Sequence, residues 1–139
     1  MGFAVLGALG VKLARPHCKV LAVTGDGGFL LNSQEIETAL REKIPFVILV
    51  WVGGSYGLIK RKMEMQLKRA THVDFGNPDF VKYAESFGAM GYLIQATPEL
   101  LPTLSRALAD DTVSVIAYSM DYSENTKLTE KLKNLRQPL

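Results

Sequence analysis

The chain has 139 residues, 47% of them hydrophobic and 22% charged, the balance of one globular domain with a sizeable core. A net charge of +2 is too small to argue for nucleic acid, and no apolar run approaches the roughly 20 residues that span a bilayer, so neither nucleic acid nor a membrane is expected as a partner. The single cysteine, Cys18, excludes an internal disulfide and fits a reducing, cytoplasmic setting.

The opening segment, MGFAVLGALGVKLARP, is apolar, yet Lys12 and Arg15 follow its apolar part instead of preceding it, which is the reverse of a secretory leader. It reads as a buried helix over residues 1–14. A helix that starts on an apolar face without a capping residue needs a partner surface, so the chain is expected to be part of something longer or to dock on another chain. CKVLAVTG (18–25) reads as a buried strand, and NSQEIETALREK (32–43) as a helix with Ile36, Ala39 and Leu40 on one face. PFVILVW (45–51) is apolar throughout, as expected of a strand covered on both faces of a parallel sheet. A helix over 58–69 is predicted to turn Leu58, Met63 and Leu67 inward.

Asn77 is expected to cap the next helix, with Pro78 at its first position and Asp79 at its positive end. Phe80, Ala84 and Phe87 form that helix's stripe, and Gly88 is placed to end it. MGYLIQA (90–96) is a third strand. Thr97 is expected to cap a helix whose core face is Leu100, Leu101, Leu104 and Leu108, and TVSVIAYSM (112–120) is the last strand. Alternation of this kind indicates an α/β domain, a doubly wound and mainly parallel sheet with helices on both faces, over residues 1–120. Residues 121–139 are polar and basic and read as a tail or docking segment.

The turn with chemistry in it is Thr24-Gly25-Asp26-Gly27-Gly28-Phe29, at the carboxyl end of the first strand, where open α/β sheets bind ligands. Its glycines let backbone N–H groups approach a phosphate closely. A carboxylate would repel that phosphate unless a divalent cation lay between them, and Mg²⁺ takes both kinds of oxygen. Taken alone, Asp-Gly is also a common turn dipeptide. Elsewhere, His17 and His72 lack metal-ligand spacing and read as surface or loop residues. Glu35 and Glu37 read as helix-end charges. The run Lys60, Arg61, Lys62, Lys68 and Arg69 reads as a solvated helix face, with docking or binding of a substrate carboxylate as the alternative. Asn32 suits a helix start or support of the glycine loop, and Tyr56 suits a loop anchor or a cofactor edge.

GDGGFLLNSQEIETALREKIPFVILVW, followed by a loop with Tyr-Gly, then VDFGNPDFVKYAESFGAMG and MDYSEN, resembles the thiamin diphosphate (ThDP) enzymes, and among them the catabolic acetolactate synthase family, over nearly the whole chain. The resemblance implies a pyrophosphate-binding domain for ThDP and Mg²⁺. Gly25, Asp26 and Gly27 would hold the metal and diphosphate, Gly28 and Phe29 would offer backbone to the phosphates, and Tyr56 and Gly57 would border the cofactor. Met1 falls where the family places a bulky residue that wedges ThDP into its bent form. Asp26 and the Ser55 carbonyl would ligate the metal.

The sequence departs from the family in VWVGGSYG, where Gly53, 27 positions after Asp26, stands in place of a second side-chain ligand; weaker metal and cofactor binding is expected. The complete enzyme implied would decarboxylate pyruvate and condense it with a second pyruvate to 2-acetolactate, as a homo-oligomer. The glutamate that activates ThDP comes in this family from a separate pyrimidine domain. Nothing here resembles that domain, so no catalytic residue is assigned and the chain alone is expected to be inactive. The alternatives are a domain or subunit of another ThDP-dependent 2-oxo acid decarboxylase, and a non-catalytic binding or dimerisation module with a weakened metal site.

Overall fold

The computed structural model describes residues 1–122. Four strands, β1 (Leu21–Gly25), β2 (Val47–Val52), β3 (Met90–Ile94) and β4 (Ser114–Ser119), form one wholly parallel sheet in the order β1-β2-β4-β3. The chain steps from β1 to its neighbour β2, passes over one position to β3, and returns to fill the gap with β4. Parallel strands need crossover connections, and helices supply them. α1 (Phe3–Ala14) precedes β1; the crossovers carry the single turn α2 (Asp26–Phe29), α3 (Glu35–Arg41), α4 (Gly57–Leu67), α5 (Phe80–Ser86) and α6 (Leu100–Ala107), the last entered through a 3₁₀ turn at Thr97–Glu99.

Side chains alternate across the sheet and so divide the core in two. Ile48, Val50, Val115 and Ala117 point to one face and are covered by Val5 and Ala8 of α1, Ile36 and Ala39 of α3, and Phe80 and Ala84 of α5. Val47, Leu49 and Ile116 point to the other face and meet Ala107, Leu100, Leu104 and Leu108. The central strands β2 and β4 are thus apolar on both sides, which is why their sequences run without polar alternation. The doubly wound class expected from the pattern is the observed one. Among the described residues no helix is long and apolar enough to cross a membrane.

Several local expectations are overturned. α4 buries none of its residues: Leu58 is 70% exposed, Leu67 is exposed and Met63 half-buried, because the helix lies across the end of the sheet and not on a face of it. Leu101, at 72% exposure, falls off the core face of α6. Thr97 makes no capping bond; its hydroxyl pairs with that of Tyr118 at 2.7 Å. The cap of α5 is Asp79, whose Oδ1 accepts from the N–H groups of Val81 and Lys82, and Asn77 is free for another task. The Phe80, Ala84 and Phe87 stripe holds, and Gly88 follows the helix with φ +88°. Of the segment expected to be a tail, residues 123–139 lie outside the described residues.

Phe29 ties the glycine turn to this core. Its side chain is fully buried, with ring centroids 5.5 Å from Phe80 and 6.0 Å from Tyr83, both edge-on. Replacing Phe29 by Ala is expected to cost about 3–5 kcal/mol, through lost burial and the cavity left behind. Urea unfolding of the two chains measures the difference.

Candidate functional site

The carboxyl ends of β1 and β2 lie side by side, with Gly25 in register with Trp51, so the loops that leave them must share one rim of the sheet. Asp26 stands at that rim. It opens α2 and is only 3% exposed, an expensive place for a carboxylate unless hydrogen bonds replace its water. Four N–H donors do so. Oδ1 accepts from the Gly27 N–H at 2.8 Å. Oδ2 accepts from the N–H groups of Gly53 (2.8 Å) and Gly54 (2.6 Å) and from Asn77 Nδ2 (2.8 Å). One side chain therefore gathers three loops that are distant in sequence.

The glycines differ in what they are for. A Cβ on Gly27 would lie 2.7 Å from the ring of Tyr56, and one on Gly28 would lie 2.9 Å from Thr24 Oγ1, so both are there for close packing. Gly25 and Gly57 face open space, and Gly54 has φ +66°, where a side chain is strained. The Tyr56 ring also packs on Phe75, with centroids 4.8 Å apart. Backbone pairing supports the same loop, since the Tyr56 N–H donates to Val73 O and the Phe75 N–H to Gly54 O.

Above this rim opens a cleft of about 940 Å³. Thr24, Gly25, Asp26, Gly27 and Gly28 line it from the first loop, and Gly53, Ser55, Tyr56 and Gly57 from the second. Met1 borders it from the start of the chain, Lys60 and Arg61 from α4, and Tyr122 from the segment after β4. Phe29, expected to offer only its backbone, turns its side chain into the core. The N-terminus of α4, with no side-chain cap, opens beside Gly57 with its positive end available to an anion. Lys60 Nζ contacts Asp74 Oδ1 at 2.8 Å, and that hydrogen bond and charge raise the ammonium pKa. Asn32 supports the rim indirectly: its Nδ2 donates to Gly2 O at 2.9 Å and holds the start of α1.

The donor set suits an anionic diphosphate better than a metal held by protein alone. Among the described residues no three His, Cys, Asp or Glu side chains cluster, and His17 and His72 are exposed and apart. Among the described residues, Asp26 Oδ1 accepts from a single N–H donor and has a lone pair to spare, and the Ser55 carbonyl accepts from the Gly57 N–H. A divalent cation here would complete its shell with ligand oxygens and water.

Asn77 is the residue that sequence reasoning missed. It was expected as a helix cap and instead braces Asp26 from 51 positions away, while its own Oδ1 is buried without a hydrogen-bond partner. Asn77→Ala removes one donor from a buried carboxylate and is expected to cost about 1.5–3 kcal/mol of stability. Asn77→Asp sets a second carboxylate beside Asp26, so it is expected to cost more at neutral pH and to recover part of that loss on acidification. Thermal melts of both variants across pH check this.

Comparison with known proteins agrees with this geometry. The family described as "Thiamine pyrophosphate enzyme, C-terminal TPP binding domain" matches residues 1–118. An acetolactate synthase of Bacillus subtilis (strain 168) is 40% identical over 128 residues, which are 92% of this chain and 22% of that protein. A catabolic acetolactate synthase of Raoultella terrigena is 39% identical over 132 residues, 95% of this chain and 24% of that protein. The chain thus spans less than a quarter of the length of these relatives. Among solved structures, the thiamine diphosphate-dependent 4-hydroxybenzoylformate decarboxylase of Rhodococcus jostii RHA1 superposes with a TM-score of 0.80 at 28% identity, covering 88% of this chain and 24% of that one. With its buried Asp26 at the rim of a glycine-lined cleft, the chain belongs to the thiamine pyrophosphate enzymes, as a C-terminal TPP-binding domain.

Proposed function

We propose that this chain is the ThDP- and Mg²⁺-binding domain of an acetolactate synthase-like enzyme, which converts two molecules of pyruvate to 2-acetolactate and CO₂. The observation that carries the reading is the buried Asp26 carboxylate, fixed at the end of β1 with one lone pair left beside a glycine-lined cleft. It occurs in a chain 40% identical to an acetolactate synthase. When bound, ThDP supplies the electron sink for decarboxylation of a 2-oxo acid. The residues of this chain bind and orient it. Gly25 and Gly57 leave open space on the rim for phosphate oxygens, and the uncapped start of α4 at Gly57 favours their charge. Asp26 and the Ser55 carbonyl would hold Mg²⁺, which would keep the phosphate oxygens together against the charge of the carboxylate. Met1 and Tyr56 border the organic part of the cofactor from the cleft wall.

In this reading the activating carboxylate comes from a pyrimidine domain on another segment or subunit, the working unit is a cytoplasmic homo-oligomer, and this chain alone is expected to make no acetolactate. A second reading keeps the cofactor and changes the 2-oxo acid. It is favoured by the TM-score of 0.80 to a 4-hydroxybenzoylformate decarboxylase, and by cationic Lys60 and Arg61 on the cleft wall, which suit any substrate carboxylate. Activity of the complete enzyme on pyruvate against an aryl 2-oxo acid separates the two.

Calorimetric titration of the 139-residue chain with ThDP tests the shared part. Binding is expected to require Mg²⁺ and to fall at least about tenfold, or about 1.4 kcal/mol, in Asp26→Asn. Equal affinity with and without Mg²⁺ would remove the cation from the site.

A further inference from the structure

Position 53 is occupied by glycine for a reason that the backbone does not explain. Its φ lies outside the left-handed region, unlike that of Gly54 at +66°, so a side chain would cause no strain in the chain itself. What forbids it is Tyr122. A Cβ on Gly53 would lie 2.5 Å from Tyr122 Cε2, 3.2 Å from Cδ2 and 3.6 Å from Cζ. The ring lies on the glycine and fills the place of its side chain.

The topology delivers Tyr122 to this point. β4 runs beside β2 with Ser119 in register with Val52, and the Met120 N–H donates to Val52 O at 3.0 Å. Tyr122 thus emerges at the cleft next to Gly53. The N–H groups of Gly53 and Gly54, from successive peptides, both donate to Asp26 Oδ2. Gly53 therefore touches the ring and, through its N–H, the carboxylate. The phenol feels its position too: burial, and after it the charge of Asp26, raise its pKa and keep the hydroxyl protonated. Across the cleft, the ring of Tyr56 lies on Gly27 in the same way.

We propose that Tyr122 is a positioning residue of the diphosphate cleft, whose ring holds the Gly53–Gly54 peptide against Asp26 and takes the volume that a side chain at position 53 would need. The proposal rests on the reading of the cleft as a diphosphate site and extends that reading to the segment after β4. Gly53 and Tyr122 are then a packed pair, in which a side chain at position 53 requires the ring to move.

A double-mutant cycle in the ligand-free 139-residue chain tests the contact. Gly53→Ala is expected to lower the melting temperature in the parental chain and in Tyr122→Phe, and to leave it unchanged in Tyr122→Ala. Equal shifts in all three backgrounds would overturn the contact. Titration with inorganic pyrophosphate plus Mg²⁺ tests the positioning role. Tyr122→Ala is expected to bind about tenfold more weakly, Tyr122→Phe close to the parental affinity, and Gly53→Asp more tightly only when combined with Tyr122→Ala. Parental affinity in Tyr122→Ala would reduce Tyr122 to a packing contact and overturn the role. A parental chain that binds no pyrophosphate would overturn the diphosphate reading and the positioning role with it, while the ligand-free cycle would still decide whether ring and glycine share that space.

Discussion

A buried carboxylate with four N–H donors is the constraint on which the functional end of this domain depends. Asp26 is out of water, so its charge has to be met by dipoles, and the donors come from its own turn, from the loop after β2 and from Asn77. Each loop is thereby positioned relative to the other two through one pair of oxygens. The parallel sheet brings the loops to the same edge, but parallel pairing alone fixes only where the strands end. The carboxylate sets how the chain continues beyond them.

Packing completes what the hydrogen bonds begin. Two of the rim glycines lie under tyrosine rings that come from elsewhere in the chain, Gly27 under Tyr56 and Gly53 under Tyr122. Aromatic rings are stiff and bring large contact area with few rotatable bonds, so a backbone pressed against one has little room to shift. The rim thus combines close, unobstructed backbone with fixed geometry, two properties that glycine-rich loops rarely have together. Phe29 adds a third anchor by burying its ring between the turn and α5.

Much of the scaffold is legible in the sequence because it follows from local pattern. β2 and β4 are continuous apolar runs, Ile36 with Ala39 and Phe80 with Ala84 fall at helical spacing, and Gly88 follows its helix with a positive φ. The turn around Asp26 is legible as a ligand motif through its resemblance to a family. Asn77 and Asp79, two positions apart, are both good helix caps by type, and nothing local says that one of them is engaged 51 positions away. α4 carries apolar residues at helical spacing, yet the spacing does not reveal that the helix lies beyond the edge of the sheet. Gly53 is the clearest case. In the sequence it is a missing side chain. In the structure its N–H is a donor to Asp26 and its empty side is filled by a ring that no local pattern associates with it.

The hydrogen bonds of Asp26 also bear on how the domain behaves without its ligand. In many small metal sites the apo form collapses, because like charges gathered for the ion repel once it leaves. Here a single carboxylate is involved, and the backbone already neutralises most of its demand. The cleft is therefore braced from within: the donors that place its three loops all belong to this chain, and their arrangement does not wait on the charge of a cation.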